Sequence, residues 1–285
     1  MERSDRNIRF FGKDGQNRLR AAKVAVVGAG GLGGHVCQQL AYLGVGEIRP
    51  VDCEELDVTN LNRYVTAYAD DPIPGSPKVD LCERLILRVD PSIVVQKVHA
   101  PLRSAEAFEA IRTADYVFGC LDNEGSRLIL TELCSAYLRP YFDLATEIIP
   151  GDEPNYGGRV CVAWDGNGCL VCHDEIDLQE AQRDLANSAT QRDVQAIYGV
   201  GADLLDSKGP SVVSVNGVIA SLGVTEFMLM ATGIRAPRRL LTYRGHLGIV
   251  AVNADKPISD CYYCRGIRSL KEAAGTERYF TNQQK

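Results

Sequence analysis

Three features of the 285-residue sequence predict an α/β fold. From Lys23 onward, short β-branched runs alternate with helical stretches. Such runs, apolar on both faces, are the strands of a parallel sheet covered by helices. The run KVAVV at 23–27 leads directly into GAGGLGG at 28–34 and then into a helix, a glycine-rich strand-to-helix turn. Beyond about residue 150 the pattern changes to turn-separated strands, and two Cys-x-x-Cys pairs appear, Cys169/Cys172 and Cys261/Cys264. Together these give a Rossmann-like, mostly parallel sheet with flanking helices, followed by a smaller part with antiparallel strands and a structural zinc site.

Residues 1–22 are polar and form an N-terminal helical arm, with the helix itself at about 14–22. Strands are expected at 23–27, 47–51, 93–98, 115–119 and 140–144, and helices at 32–43, 78–89, 104–112 and 124–137. The alternating order makes 23–150 a nucleotide-binding half, with ligands outside the carboxyl ends of its strands. Residues 145–160, rich in turn formers and acids, read as the connection out of that half. The second half, 151–285, has antiparallel strands at 159–164, 239–244 and 247–252. Its helix at 211–232 carries GVIASLG, an apolar, small-residue surface suited to close packing. Between them runs a long polar loop, 173–210, helical at first and glycine-bearing from 199 to 209. All of this is read as one domain, 1–285.

The candidate site residues fall at the strand ends. Glycines 28, 30, 31 and 33 let the backbone approach a phosphate, and the following helix N-terminus supplies N–H donors and positive potential. Asp52, at the end of the second strand, lies about 20 residues past the glycines, where an acid meets a ribose hydroxyl. Asn60, Asn62, Arg63 and Lys78 follow. Two amides and two cations just past that strand suit an enzyme that neutralises a triphosphate. Asp122-Asn123 follows the 115–119 strand. Asp122 either caps the next helix or holds Mg²⁺ beside the phosphates. Arg127, one helical turn on, orients that loop.

Composition narrows the class. The chain is 45% hydrophobic and 24% charged, with a net charge of −6, so a basic nucleic-acid surface is not expected. The start, MERSDRNIRF, is polar and mixed in charge, with no signal peptide. No apolar run reaches about 18 residues, so no membrane span is expected and a cytoplasmic location is. Of ten cysteines, four make the two pairs. Each pair offers one edge of a tetrahedral thiolate site; the alternatives are a redox Cys-x-x-Cys or incidental pairs. His173 is left outside the metal set because four thiolates close it. Cys37, Cys53, Cys82, Cys120, Cys134 and Cys161 read as buried, inert thiols, with Cys53 the more exposed.

These motifs, from KVAVVGAGGLGG through VDCEELDVTNLNRY to GSPK, resemble the ubiquitin-activating-enzyme-like superfamily of adenylating enzymes, the ThiF/MoeB/HesA type, over about residues 6–264. The resemblance implies use of ATP and Mg²⁺, a structural zinc on the four cysteines, and a homodimer. It implies that Asp122-Asn123 contact the nucleotide and its magnesium. Arg6, in an Arg-Asn-Ile similar to the family's opening Arg-Gln-Ile, would cross to the partner's ATP; Arg20 is the poorer candidate. The implied substrate is a ubiquitin-like or sulfur-carrier protein whose C-terminal glycine becomes an acyl-adenylate. The sequence departs from part of the family in having no cysteine from 173 to 260, so the usual crossover-loop thioester is excluded. The implied catalytic set is Arg63, Lys78, Asn60 and Arg6.

Three competing readings are weighed. An adenylating enzyme for a small ribosomal peptide, of the microcin or pantocin kind, shares the nucleotide half. Such enzymes often carry extra N-terminal peptide-binding elements, and about 22 residues here favour a protein substrate. An NAD-dependent dehydrogenase uses Asp52 but has no task for Arg63, Lys78, Asp122 or the four thiols. An inactive scaffold subunit is expected to lose Arg63 and Lys78, which are present.

Overall fold

The computed structural model describes residues 3–186 and 209–280. Its nucleotide half runs α1 (Asp5–Ala21), β1 (Lys23–Val27), α2 (Gly31–Leu43), β2 (Glu47–Val51), α3 (Lys78–Val89), β3 (Val94–Val95), α4 (Ala105–Arg112), β4 (Tyr116–Gly119), α5 (Glu124–Ala136) and β5 (Tyr141–Ile149). The chain continues through β6 (Asn155–Ala163), α6 (Leu178–Leu185), α7 (Val213–Thr232), β7 (Leu240–Arg244) and β8 (Ile249–Asn253).

All eight strands belong to one sheet, ordered β3-β2-β1-β4-β5-β6-β7-β8. Its first part is parallel and its last part antiparallel. Successive residues of β1 feed opposite layers. Val24 and Val26 join a core with α2, α3 and α7, through Leu40, Ile86, Ile219 and Phe227. Ala25 and Val27 join Phe108, Ile111 and Leu128 on the α4–α5 side. Burial on both faces explains why 23–27 is apolar throughout, without alternation.

Most elements start and stop within a residue or two of expectation, and four differ. The first helix begins at Asp5 rather than near 14 and bends at Gly12, whose φ of 75° breaks the helical run. The 93–98 strand shrinks to Val94–Val95, although Gln96 and Val98 still donate to the carbonyls of Ile48 and Pro50 at 3.1 and 2.9 Å.

The third difference concerns 145–160, expected to be a connection. It is mostly strand: β5 runs on to Ile149 and pairs residue for residue with β6. Its backbone groups find partners in the hairpin, so only the short segment 150–154 turns. β5 thus joins the halves directly, with Phe142 opposite Phe118 in parallel and Val162 in antiparallel pairing.

Fourth, no membrane-length apolar segment was expected. α7 is nonetheless long and apolar enough, by length and composition, to cross a membrane; half of it is buried inside the protein. In the 173–210 segment, the expected helical start is α6, capped by Asp177, whose carboxylate accepts from the Gln179 and Glu180 N–H groups. The expected flexible stretch 199–209 lies almost wholly outside the described residues.

Candidate active site

The glycine turn is built by close approach. Gly28 has φ of 88°, and a Cβ there would come 2.4 Å from the Cys120 carbonyl oxygen. A Cβ on Gly33 would stand 1.9 Å from the Gly28 carbonyl oxygen, so β1 and α2 meet with no room for a methyl. Gly30 is different: nothing lies within 4 Å of its missing side chain. The turn is therefore packed behind and open in front, as a phosphate cradle requires.

Asp52 braces this turn. Its Oδ2 accepts from the Ala29 N–H at 2.7 Å and its Oδ1 from the Glu54 N–H at 2.8 Å. Burial raises its pKa, opposed by the Glu54 N–H, the Lys78 charge and the Ala29 N–H. Glu54 in turn pairs with the Lys78 ammonium, and the Lys78 side chain is almost fully buried. The Lys78 N–H donates to the Glu54 carbonyl at 3.0 Å, and the Tyr64 hydroxyl donates to the Lys78 carbonyl at 3.0 Å. Ala29, Asp52, Glu54 and Lys78 thus form one continuous polar chain. Glu54 was not anticipated; its only sequence signal is an acid two residues past Asp52.

Arg63 reaches the turn from another side: a Cβ on Gly31 would meet its Cγ at 3.2 Å. The guanidinium donates to the Asn62 side chain at 3.0 Å and to the Thr59 carbonyl. Asn60 is partly committed to structure. Its Oδ1 accepts from the Asp57 N–H at 3.1 Å within a reciprocal capping box, leaving its amide N–H groups for a ligand. Asn62, exposed, donates to the Ser211 carbonyl at 3.3 Å.

At the end of β4 the structure separates the two alternatives for Asp122. The cap of α5 is Asn123, whose Oδ1 accepts from the Ser126 N–H at 2.8 Å, not Asp122. Asp122 is exposed, two residues past Cys120, which packs against Gly28. Arg127 is anchored as expected: it pairs with Glu124 and donates to the Leu121 carbonyl at 2.9 Å.

Beside these residues lies a groove of about 900 Å³ over β5, β6 and β7, lined among others by Arg127, Thr146, Tyr156, Glu175, Tyr243 and His246. Two of its lining residues, Arg159 and Glu175, belong to a satisfied cluster buried behind it. Asp143, fully buried, accepts from the Tyr141 hydroxyl at 2.7 Å and pairs with Arg159, which also binds Glu175 at 2.7 Å. Asp143 and Arg159 lie on adjacent strands that the sequence reading did not place together.

Arg6 is not brought to the glycine turn of its own chain; it is exposed on α1. Arg20 is occupied by the Ser4 hydroxyl at 3.0 Å. The four paired cysteines do converge, with all four sulfurs within 4.8 Å of one another. Three of the Sγ–Sγ distances are 3.9, 3.8 and 3.7 Å. A tetrahedral Zn²⁺ with Zn–S bonds of about 2.3 Å needs S–S edges of about 3.8 Å, so the thiols fit that ion. Among the remaining cysteines, burial pushes Cys120, Cys134 and Cys161 up, away from reactive thiolates. Cys53 alone of the six is exposed.

The profile of the ThiF family matches residues 4–264. Among characterised proteins, the SAMP-activating enzyme E1 of Haloferax volcanii is 36% identical over 136 residues, covering 47% of this chain and 50% of that protein. The molybdopterin-synthase adenylyltransferase of Escherichia coli is 34% identical over 167 residues, 58% of this chain and 64% of that one. These matches span about half to two thirds of the relatives' length. Among solved structures, E. coli MccB with MccA-N7isoASN superposes with a TM-score of 0.71 at 21% identity, over 93% of this chain and 75% of that chain. At that identity the likeness is one of fold.

Proposed function

The chain belongs to the ThiF family, and from that premise we propose that it is an ATP-dependent adenylyltransferase activating a C-terminal carboxylate. The observation that carries this reading is the polar chain Ala29–Asp52–Glu54–Lys78 beside the open face of Gly30, in a chain that also carries a groove of about 900 Å³ over β5, β6 and β7.

The reaction is in-line attack of the carboxylate oxygen on the α-phosphorus of ATP. A P–O bond forms to the carboxylate, the bond to the β-phosphate breaks, and pyrophosphate leaves. Nothing covalent is asked of the protein; placement and charge neutralisation lower the barrier. Gly28, Gly30, Gly31 and Gly33 would cradle the nucleotide, Asp52 would hold the ribose, and Asn62 and Asn123 would border it. Arg63, Lys78 and the amide of Asn60 would stabilise charge on the reacting phosphates. Asp122 would hold Mg²⁺ with phosphate oxygens, a donor set that ion accepts. Arg6 of a second copy in a homodimer would complete the site.

The acceptor class is a ubiquitin-like or sulfur-carrier protein ending in glycine. Relatives named for molybdopterin synthase and for a sulfur carrier support it. The tail would lie extended in the groove, against the 151–285 half, held by groove side chains, because β5, β6 and β7 are each already paired on both sides. With no cysteine from 173 to 260, the adenylate would pass to a nucleophile from elsewhere. A small ribosomal peptide is the alternative substrate, and the same groove admits it.

ATP–pyrophosphate exchange with and without Gly-Gly carriers tests this. Exchange is expected only with a carrier. Lys78→Ala and Arg63→Ala should each lose about 2–4 kcal/mol of transition-state stabilisation, a roughly 30- to 1,000-fold fall. Undiminished exchange in both variants would sink the assignment; exchange only with short peptides would select the alternative.

A further inference from the structure

We propose that Asn216 is a positioning residue of this reaction, holding the groove and the nucleotide turn in one register; the inference rests on the adenylation reading above. Asn216 lies in the first turn of α7, in the apolar run VVSVNGVIASL, and is 2% exposed. Its Nδ2 stands where a side chain on Gly31 would begin, 2.9 Å from a Cβ built there. The same point is 3.2 Å from Arg63 Cγ, so Gly31, Arg63 and Asn216 meet at one place.

The amide is tied in two further directions. Its Oδ1 accepts from the Thr146 hydroxyl at 3.2 Å, and Thr146 lines the groove. Its Nδ2 donates to the Ser211 hydroxyl at 3.2 Å, and the Ser211 carbonyl receives Asn62 Nδ2 at 3.3 Å. One buried side chain therefore links the glycine turn, the Asn62-Arg63 loop and the groove wall.

Burying an amide among Val215, Ile219 and Ala220 costs free energy that an apolar residue would not. What a partnered amide supplies instead is direction, because a satisfied buried network holds its members in one arrangement. In-line attack demands that: misplacement by about 1 Å costs on the order of 100-fold in rate. Asn216 fixes the wall along which the carboxylate approaches relative to the turn that carries the phosphates. It acts through Gly31, Thr146 and Ser211.

The test is the split between kcat and KM in carrier-dependent ATP–pyrophosphate exchange by the full chain. Asn216→Ala is expected to lower kcat at least tenfold, with KM for ATP and for carrier within threefold of wild type. Thr146→Val should do the same, while Thr146→Ser, which keeps the hydroxyl, should stay within twofold. The double variant N216A/T146V should fall no further than N216A alone, because both break one link. Exchange within twofold of wild type in N216A, a loss confined to KM, or losses that multiply in the double variant would each overturn the proposal. If N216A does not fold, the two Thr146 variants decide: a fully active T146V rejects it. An inactive wild type rejects the adenylation reading and this inference with it. An active wild type beside an equally active N216A rejects the inference alone.

Discussion

The carboxylate of Asp52 spans two elements, holding the Ala29 N–H of the glycine turn and the Glu54 N–H beyond β2. Burial, the largest influence on it, favours its protonated form in the folded protein. The sign follows: the native state binds a proton more tightly than the unfolded chain here, so this group lowers stability as the pH rises through its titration. A carboxylate kept ionised at such a site suits ligand binding better than fold stability. We expect ATP affinity to decline on the acid side, starting above the ordinary aspartate value of about 3.9. Asp52→Asn should flatten that limb and weaken ATP at every pH. KM for ATP measured across the acid range checks this; an unchanged acid limb in Asp52→Asn would assign it to another group.

At the scale of the element, the turn between β1 and α2 separates two kinds of glycine. Gly33 is required by packing, since its Cβ would overlap the Gly28 carbonyl. Gly30 is not: its φ of −78° is open to any L-residue, and the space in front of it is empty. Gly33→Ala should therefore destabilise the fold by about 1–3 kcal/mol or more. Gly30→Ala should melt like wild type yet raise KM for ATP on the order of tenfold, because its methyl occupies the phosphate's approach. Thermal melting beside ATP titration separates the two. Normal ATP binding by Gly30→Ala would mean that the phosphates do not cross that face. β5 shows the same scale at work in the sheet. Its first residues are a parallel strand and its last the arm of a hairpin, so one strand carries the change of architecture.

Across the whole molecule, the four thiols bring together residues 92 positions apart, and a zinc held by them would close the second half onto itself. A cross-link over a loop of that length is worth about 4–5 kcal/mol by chain entropy. Removing zinc with a chelator, or Cys261→Ser, should lower the melting temperature by roughly 10 °C. Metal analysis should find one zinc per chain. A chain that holds no zinc, or melts unchanged after chelation, would reject the metal. Between residues 265 and 280 other contacts hold the chain: the Phe280 ring meets Phe108 edge-on with centroids 4.8 Å apart, and Arg278 pairs with the buried Glu132.

What the amino-acid order determined by itself was local. Strand and helix positions, the glycine turn, the acid after β2 and the two cysteine pairs all follow from spacing over a few residues, where backbone sterics and side-chain period act directly. The convergence of those cysteines was also legible, because four thiols at that spacing have few other uses. The tertiary structure alone decided what joins the parts. Asn216 meets Thr146 across 70 residues, Lys78 meets Glu54 across 24, and Arg159 meets Asp143 on a neighbouring strand. The run of β5 past 144 likewise depends on a partner strand. Such contacts are set by which surfaces pack together, and no local period encodes them. Asn216 reads in sequence as one polar residue in an apolar helix; only its place above Gly31 gives it a role.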